Sequence, residues 1–192
     1  MNTIEHGFHD AQHVLTKFVN DQDQFPRVQL FADKLTATFR AGCKAMSCGN
    51  GGSMSDAMHF AEEWSGRYRQ ERPPLPAIAF SDPGHMSCVA NDYGFAEVFA
   101  RQVQALGKEG DLLLLLSTSG NSPNLIRAAE EARAKGVTTV GLLGKGGGAV
   151  LPLCDIPIVV PGNTSDRIQE LHIKIIHIVI ETVERSLFPD LY

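Results

Sequence analysis

The sequence predicts an α/β protein, a three-layer sandwich with a central parallel sheet, on three observations. Short apolar runs recur with helical stretches between them. One run, "DLLLLLS" from Asp111 to Ser117, has no polar alternation, as expected of a strand covered by helices on both faces. Small-residue turns, "CGNGGS" and "STSGNSPN", follow strands, where a parallel sheet places its ligands.

Two helical patterns open the chain, one through Phe8, Val14, Leu15 and Phe18, the next through Val28, Phe31, Leu35 and Phe39. After Gly42, strands are expected at "KAMSC", "PAIAF", "DLLLLLST", "VTTVGLL" and "DIPIVV", with helices around 54–68, 94–106 and 123–135. A long final helix runs roughly from Ser165 to Leu187. It is apolar at 168, 171, 175 and 179, and again at 173, 176, 178, 180 and 183, wider coverage than one-sided packing needs. Burial against both its own sheet and a partner chain explains this, so a homo-oligomer is expected, with residues 1–40 a helical extension used in its packing. The alternative is a central helix in a monomer, with the N-terminal pair wrapped over it.

At 192 residues and 43% hydrophobic, residues 1–192 suit one well-buried domain. Seventeen Lys and Arg against twenty-two Asp and Glu give a net charge of -5, which argues against coating nucleic acid or an acidic membrane. The most apolar helical stretch, "LHIKIIHIVI", is interrupted by Lys174 and two histidines, and no charged leader precedes an apolar run, so a cytoplasmic protein is expected. Cys43, Cys48, Cys88 and Cys154 form no CxxC pair, which indicates neither a disulfide framework nor a thiolate zinc site.

In "CGNGGS", Gly49, Gly51 and Gly52 let the backbone approach a ligand, and Ser53 or Ser55 could cap the following helix. The stretch is neither GxGxxG nor a Walker loop. In "STSGNSPN", Ser117, Thr118, Ser119 and Ser122 surround a turn, with Ser122 before Pro123 placed to cap a helix. Hydroxyls and helix-terminal N–H groups suit a phosphate monoester without any lysine. "GKGGGA" at 144–149 leads into "VLPLCD" and is read as a flexible connection.

His59 and Glu63 stand four residues apart, on one helix face, able to meet one metal ion or one substrate. Gln169 and His177 are polar intrusions in the apolar final helix, where burial without a partner is costly. His172 is expected at the helix rim. Gln169 and His177 are eight residues apart, about 12 Å along the axis, so a site shared between subunits is one way to bring both to a single ion.

"SCGNGGS", "DAMHFAEE", "GRYR", "ANDYGF", "STSGNS" and "DRIQELHIKIIH", in that order, resemble the sedoheptulose 7-phosphate isomerases, or phosphoheptose isomerases, of the sugar isomerase (SIS) domain superfamily. The likeness spans nearly the whole chain. It implies a flavodoxin-like SIS domain, a homotetramer, one zinc ion per subunit, and conversion of sedoheptulose 7-phosphate to D-glycero-D-manno-heptose 7-phosphate for lipopolysaccharide heptose synthesis. It assigns zinc to His59, Glu63, Gln169 and His177, and acid–base catalysis to Glu63 and His177. It places the substrate at Asn50, Gly51, Gly52, Ser53, Glu63, Asn91, Asp92 and Gln169, with the phosphate at Ser117, Thr118, Ser119 and Ser122. Arg67 and Asp166 are additional pocket residues, Arg67 reaching toward a neighbouring subunit's site.

Two stretches, "QERPPLPAIAF" and "SLFPDLY", look more like a non-enzymatic branch of the superfamily that binds a bacterial replication initiator. That branch lacks the residues matching Glu63 and His177. A sugar-phosphate-sensing domain would keep the anion turns and need no base, but no DNA-binding helical module remains once the sheet is assigned. The enzyme reading therefore leads.

Overall fold

A computed structural model describes residues 2–192. Two helices come first, α1 (Thr3–Asn20) and α2 (Gln24–Arg40), followed by β1 (Ala45–Gly49), α3 (Gly52–Ser65) and β2 (Ala77–Ala79). Next are α4 (Pro83–Tyr93), a single 3-10 turn at Phe95–Glu97, α5 (Ala100–Leu106), β3 (Leu112–Ser117) and α6 (Pro123–Ala134). The chain then forms β4 (Thr138–Gly144), β5 (Ile156–Val160) and the long α7 (Ser165–Leu187). α1 starts with a capping box: the Asn2 side chain accepts from the Glu5 amide and the Glu5 carboxylate from the Asn2 amide.

The helix expected at 94–106 is broken, and one further helix precedes it. Asp82 accepts from the His85 amide at 2.6 Å and Pro83 takes the first turn, which starts α4. Gly94, at φ 91°, then stops it.

The sheet is parallel throughout, in the order β2-β1-β3-β4-β5. The all-leucine β3 lies at its centre, and its alternating side chains feed opposite layers. Leu112, Leu114 and Leu116 pack with α2, α3 and α7, while Leu113 and Leu115 pack with α4, α5 and α6. All five are fully buried, so truncating any one to alanine costs about 2–5 kcal/mol. In the β1–β3 register Ala45 faces Leu112 and Gly49 faces Leu116, so the two strands end together and their turns emerge side by side.

α7 packs on α2 and α3 as well as the sheet, and α1 lies along it. Much of its wide apolar surface is thus covered within the chain; Ile178 remains half exposed. His172 is not at the rim: it is fully buried under β4, because its position on α7 turns inward beside Leu171 and Ile175. Among the described residues no helix is long and apolar enough to cross a membrane.

Candidate active site

From β1 the chain turns to β2 on one side, whereas β3, β4 and β5 extend on the other. The gap between the ends of β1 and β3 is therefore the switch point of the sheet. It opens a cleft of about 380 Å³ lined by Asn50, Gly52 and Ser53 from the first turn and Ser117, Thr118, Ser119 and Ser122 from the second. Ser165 and Gln169 of α7 close it. Among the described residues no lysine or arginine lines it, so an anion there would be held by hydroxyls and helix-terminal N–H groups.

Neither Ser53 nor Ser55 caps α3. Gly51 occupies that position at φ 57°, a conformation without penalty for glycine. The Ser53 hydroxyl instead accepts from Gln169 Nε2 at 3.3 Å. A Cβ at Gly52 would lie 2.7 Å from the same amide, so glycine here admits the Gln169 side chain.

In the second turn Ser117 Oγ accepts from the Gly120 amide at 2.9 Å, and Ser119 Oγ from the Asn121 amide at 3.2 Å. Thr118 Oγ1 meets Ser165 Oγ at 2.9 Å. Ser122 has the backbone of a cap, but its side chain makes no cap hydrogen bond, which leaves the hydroxyl to the cleft. The 144–149 connection is pinned rather than loose: the Val150 amide bonds the Gly120 carbonyl and the Ala149 amide bonds Asn121 Oδ1.

Beside the cleft, α3 and α7 bring together the side chains with acid–base chemistry. His59 Nε2 lies 3.0 Å from Glu63 Oε1 and 3.3 Å from His177 Nε2. The three offer one ligand atom each, all within 4.8 Å of one another. Tyr68 stacks on the His177 ring, with centroids 5.9 Å apart. Burial first, then the neighbouring His59, lowers the His177 pKa, so its neutral imidazole is favoured. Two imidazole nitrogens and a carboxylate oxygen aimed at one point repel unless a proton or cation lies between them, and this donor set suits zinc.

This cluster forms within one chain, because α3 crosses α7 near His177; no second subunit is needed for these three. Gln169 lies two turns earlier on α7, beside Ser53. Asn91 and Asp92 sit exposed in the last turn of α4 and bond to each other, outside the cleft lining. Arg67 and Asp166 are also exposed. The Thr164 hydroxyl first, then the Arg167 amide, hold the Asp166 carboxyl below its usual range.

Sequence reasoning missed four contributors. Asn124 pairs with Asn50, Ser165 lines the cleft, and Tyr68 orients His177. Asp56, between Ser53 and His59, has a buried Oδ2 without a partner among the described residues, and burial raises its carboxyl to about 6. Three of them lay inside quoted motifs, Tyr68 in "GRYR", Asp56 at the start of "DAMHFAEE" and Asn124 at the end of "STSGNSPN", but nothing in their spacing marked them out.

The chain belongs to the SIS domain family, whose model matches residues 8–144. More specifically, the chain belongs to the phosphoheptose isomerases, and its class is isomerase. It is 53% identical to the phosphoheptose isomerase of Fusobacterium nucleatum over 179 residues, covering 93% of this chain and 92% of that one. It is 51% identical to that of Vibrio cholerae, covering 93% and 94%. The solved structure of a phosphoheptose isomerase from Francisella tularensis superimposes with a TM-score of 0.91 at 34% identity, covering 96% of this chain and all of that one. These relatives disfavour the initiator-binding and sensing alternatives.

Proposed function

We propose that this protein interconverts D-sedoheptulose 7-phosphate and D-glycero-D-manno-heptose 7-phosphate by acid–base proton transfer through an enediol, serving surface heptose synthesis in the cytoplasm. The observation that carries this reading is the convergence of Glu63 and His177, from different helices, beside a cleft built for a phosphate. A sensor needs the cleft alone.

The phosphate lies among Ser117, Thr118, Ser119 and Ser122, at the amino end of α6. Asn50, Gly51, Gly52 and Ser53 meet the sugar, and Asn91, Asp92 and Asp166 serve its hydroxyls. Anchoring the phosphate makes the proton transfers effectively intramolecular. Glu63 removes the proton from C1 and returns it to C2. Neutral His177, which can both donate and accept, gives a proton to the oxygen on C2 and takes the one from the oxygen on C1. Tyr68, stacked on its ring, keeps the imidazole in register.

His59, Glu63 and His177, with Gln169 as the fourth candidate, would hold one zinc ion per subunit. When bound, such an ion polarises the carbonyl or holds the neighbouring hydroxyls. In a homotetramer, with residues 1–40 in its packing, Arg67 reaches a neighbouring subunit's site. The exposed apolar residues Ile4, Phe8 and Ile178 support a partner surface.

Purified protein assayed on sedoheptulose 7-phosphate for aldose product, before and after chelation and zinc return, tests this. Turnover is expected in the wild type and absent in Glu63→Gln. A correctly assembled, zinc-replete wild type without turnover would overturn the proposal.

A further inference from the structure

The stretches "QERPPLPAIAF" and "SLFPDLY" have no place in the chemistry described above, yet the fold brings them together. Arg72 of the first is almost wholly buried, as is Glu184 near the end of α7. Arg72 Nε donates to Glu184 Oε1 at 2.6 Å, and the Tyr192 hydroxyl donates to the other oxygen, Oε2, at 2.5 Å. Burial first, then the hydrogen bond to Glu184, raise the Tyr192 phenol to about 12, so it stays a donor. The rest of the guanidinium faces the end of α3. Nη1 donates to the Trp64 carbonyl at 2.7 Å and Nη2 to the Glu63 carbonyl at 2.5 Å, two groups that the helix end leaves without intrahelical partners.

One planar cation therefore spans the two helices that carry the reactive cluster. It caps the turn of α3 that contains Glu63, and it holds α7 two turns beyond His177. A fork with fixed donor directions sets both position and orientation, which a lysine cannot do.

We propose that Arg72, seated by Glu184 and Tyr192, is a positioning residue that sets the separation of Glu63 and His59 from His177. This rests on the isomerase reading for its kinetic consequence but not for its geometric one. The phosphate cleft is formed by other turns, so the clamp acts on the cluster and leaves anion binding alone.

The test uses the full-length protein, with Arg72→Lys and Tyr192→Phe compared with the wild type. Melting temperature, KM and kcat on sedoheptulose 7-phosphate, and affinity for Co(II), read from its visible absorption, are measured for each. Arg72→Lys should keep KM within about twofold while kcat and Co(II) affinity each fall about tenfold or more; Tyr192→Phe should show the same pattern at about threefold. A folded variant with wild-type kcat and wild-type Co(II) affinity overturns the proposal, as does a loss confined to KM or to melting temperature. If Arg72→Lys does not fold, Tyr192→Phe decides. If the wild type binds Co(II) but does not turn over this sugar, the isomerase reading fails and the cobalt affinities alone judge the clamp.

Discussion

Asn50 and Asn124 exchange amide hydrogen bonds across the switch point of the sheet, each donating to the other at 2.9 and 2.8 Å. The pair joins the turn after β1 to the first turn of α6, tying together the two segments proposed to hold the sugar phosphate. Asn124 is buried, and its loss leaves the Asn50 amide unpaired. Asn124→Ala should cost about 1–3 kcal/mol of stability and raise KM for the sugar phosphate more than it lowers kcat. Urea denaturation and steady-state kinetics on the same preparation check both.

Glu63→Gln keeps the size of the side chain and removes its ability to take a proton. Isomerisation should fall about 10²–10⁴-fold while the substrate still binds, since the turns proposed to hold its phosphate are untouched. Calorimetric titration with sedoheptulose 7-phosphate separates the two. Weakened binding with normal turnover of the remaining complex would contradict the role assigned to Glu63.

A zinc ion at the proposed site would need a neutral imidazole at His177, and burial depresses that pKa. The neutral form therefore persists to lower pH than in a free imidazole. Proton competition at His177 should therefore set in below the ordinary imidazole range near 6.5. NMR titration of the His177 ring protons in the metal-free protein measures it; a midpoint at or above about 6.5 would refute the expectation.

His172 is buried with neither ring nitrogen hydrogen-bonded among the described residues, and burial lowers its pKa to about 4. Protonation therefore favours the unfolded chain, where the imidazole titrates near 6.5. Above that pH the ring is neutral in both states and adds no pH dependence, and stability is lost as pH falls from about 6.5 toward 4, on the order of 3 kcal/mol in all. His172→Phe should lose that part of the acid sensitivity, so urea midpoints of variant and wild type shift relative to each other between pH 7.5 and 4.5. Parallel pH profiles would show that His172 does not titrate on unfolding.

Much of the fold is legible in one dimension because parallel strands need continuous apolar runs. "DLLLLLS" reads as a strand covered on both faces and is the central one, and the other four strands lie where their runs predict. The missed helix, α4, has the weakest periodicity of that region, and its start depends on a single Asp82–Pro83 cap. His59 and Glu63 were visible as a pair because helical spacing alone puts them on one face. His172 was misplaced at the helix rim, because helical spacing separates it from His177 by face but does not say which neighbours each face meets; it lies under β4.

By itself the sequence determined the layer order, the turns that follow β1 and β3, and the residue types available for proton transfer, because these depend on local period, backbone freedom and side-chain chemistry. Only the tertiary structure decided which of those residues meet. The crossing of α3 and α7 brings His177 to His59, the shared ending of β1 and β3 brings Asn124 to Asn50, and a buried arginine joins Glu63's turn to Glu184. Each of these contacts joins residues far apart along the chain or on separate elements, and packing, which no local pattern encodes, sets their distance.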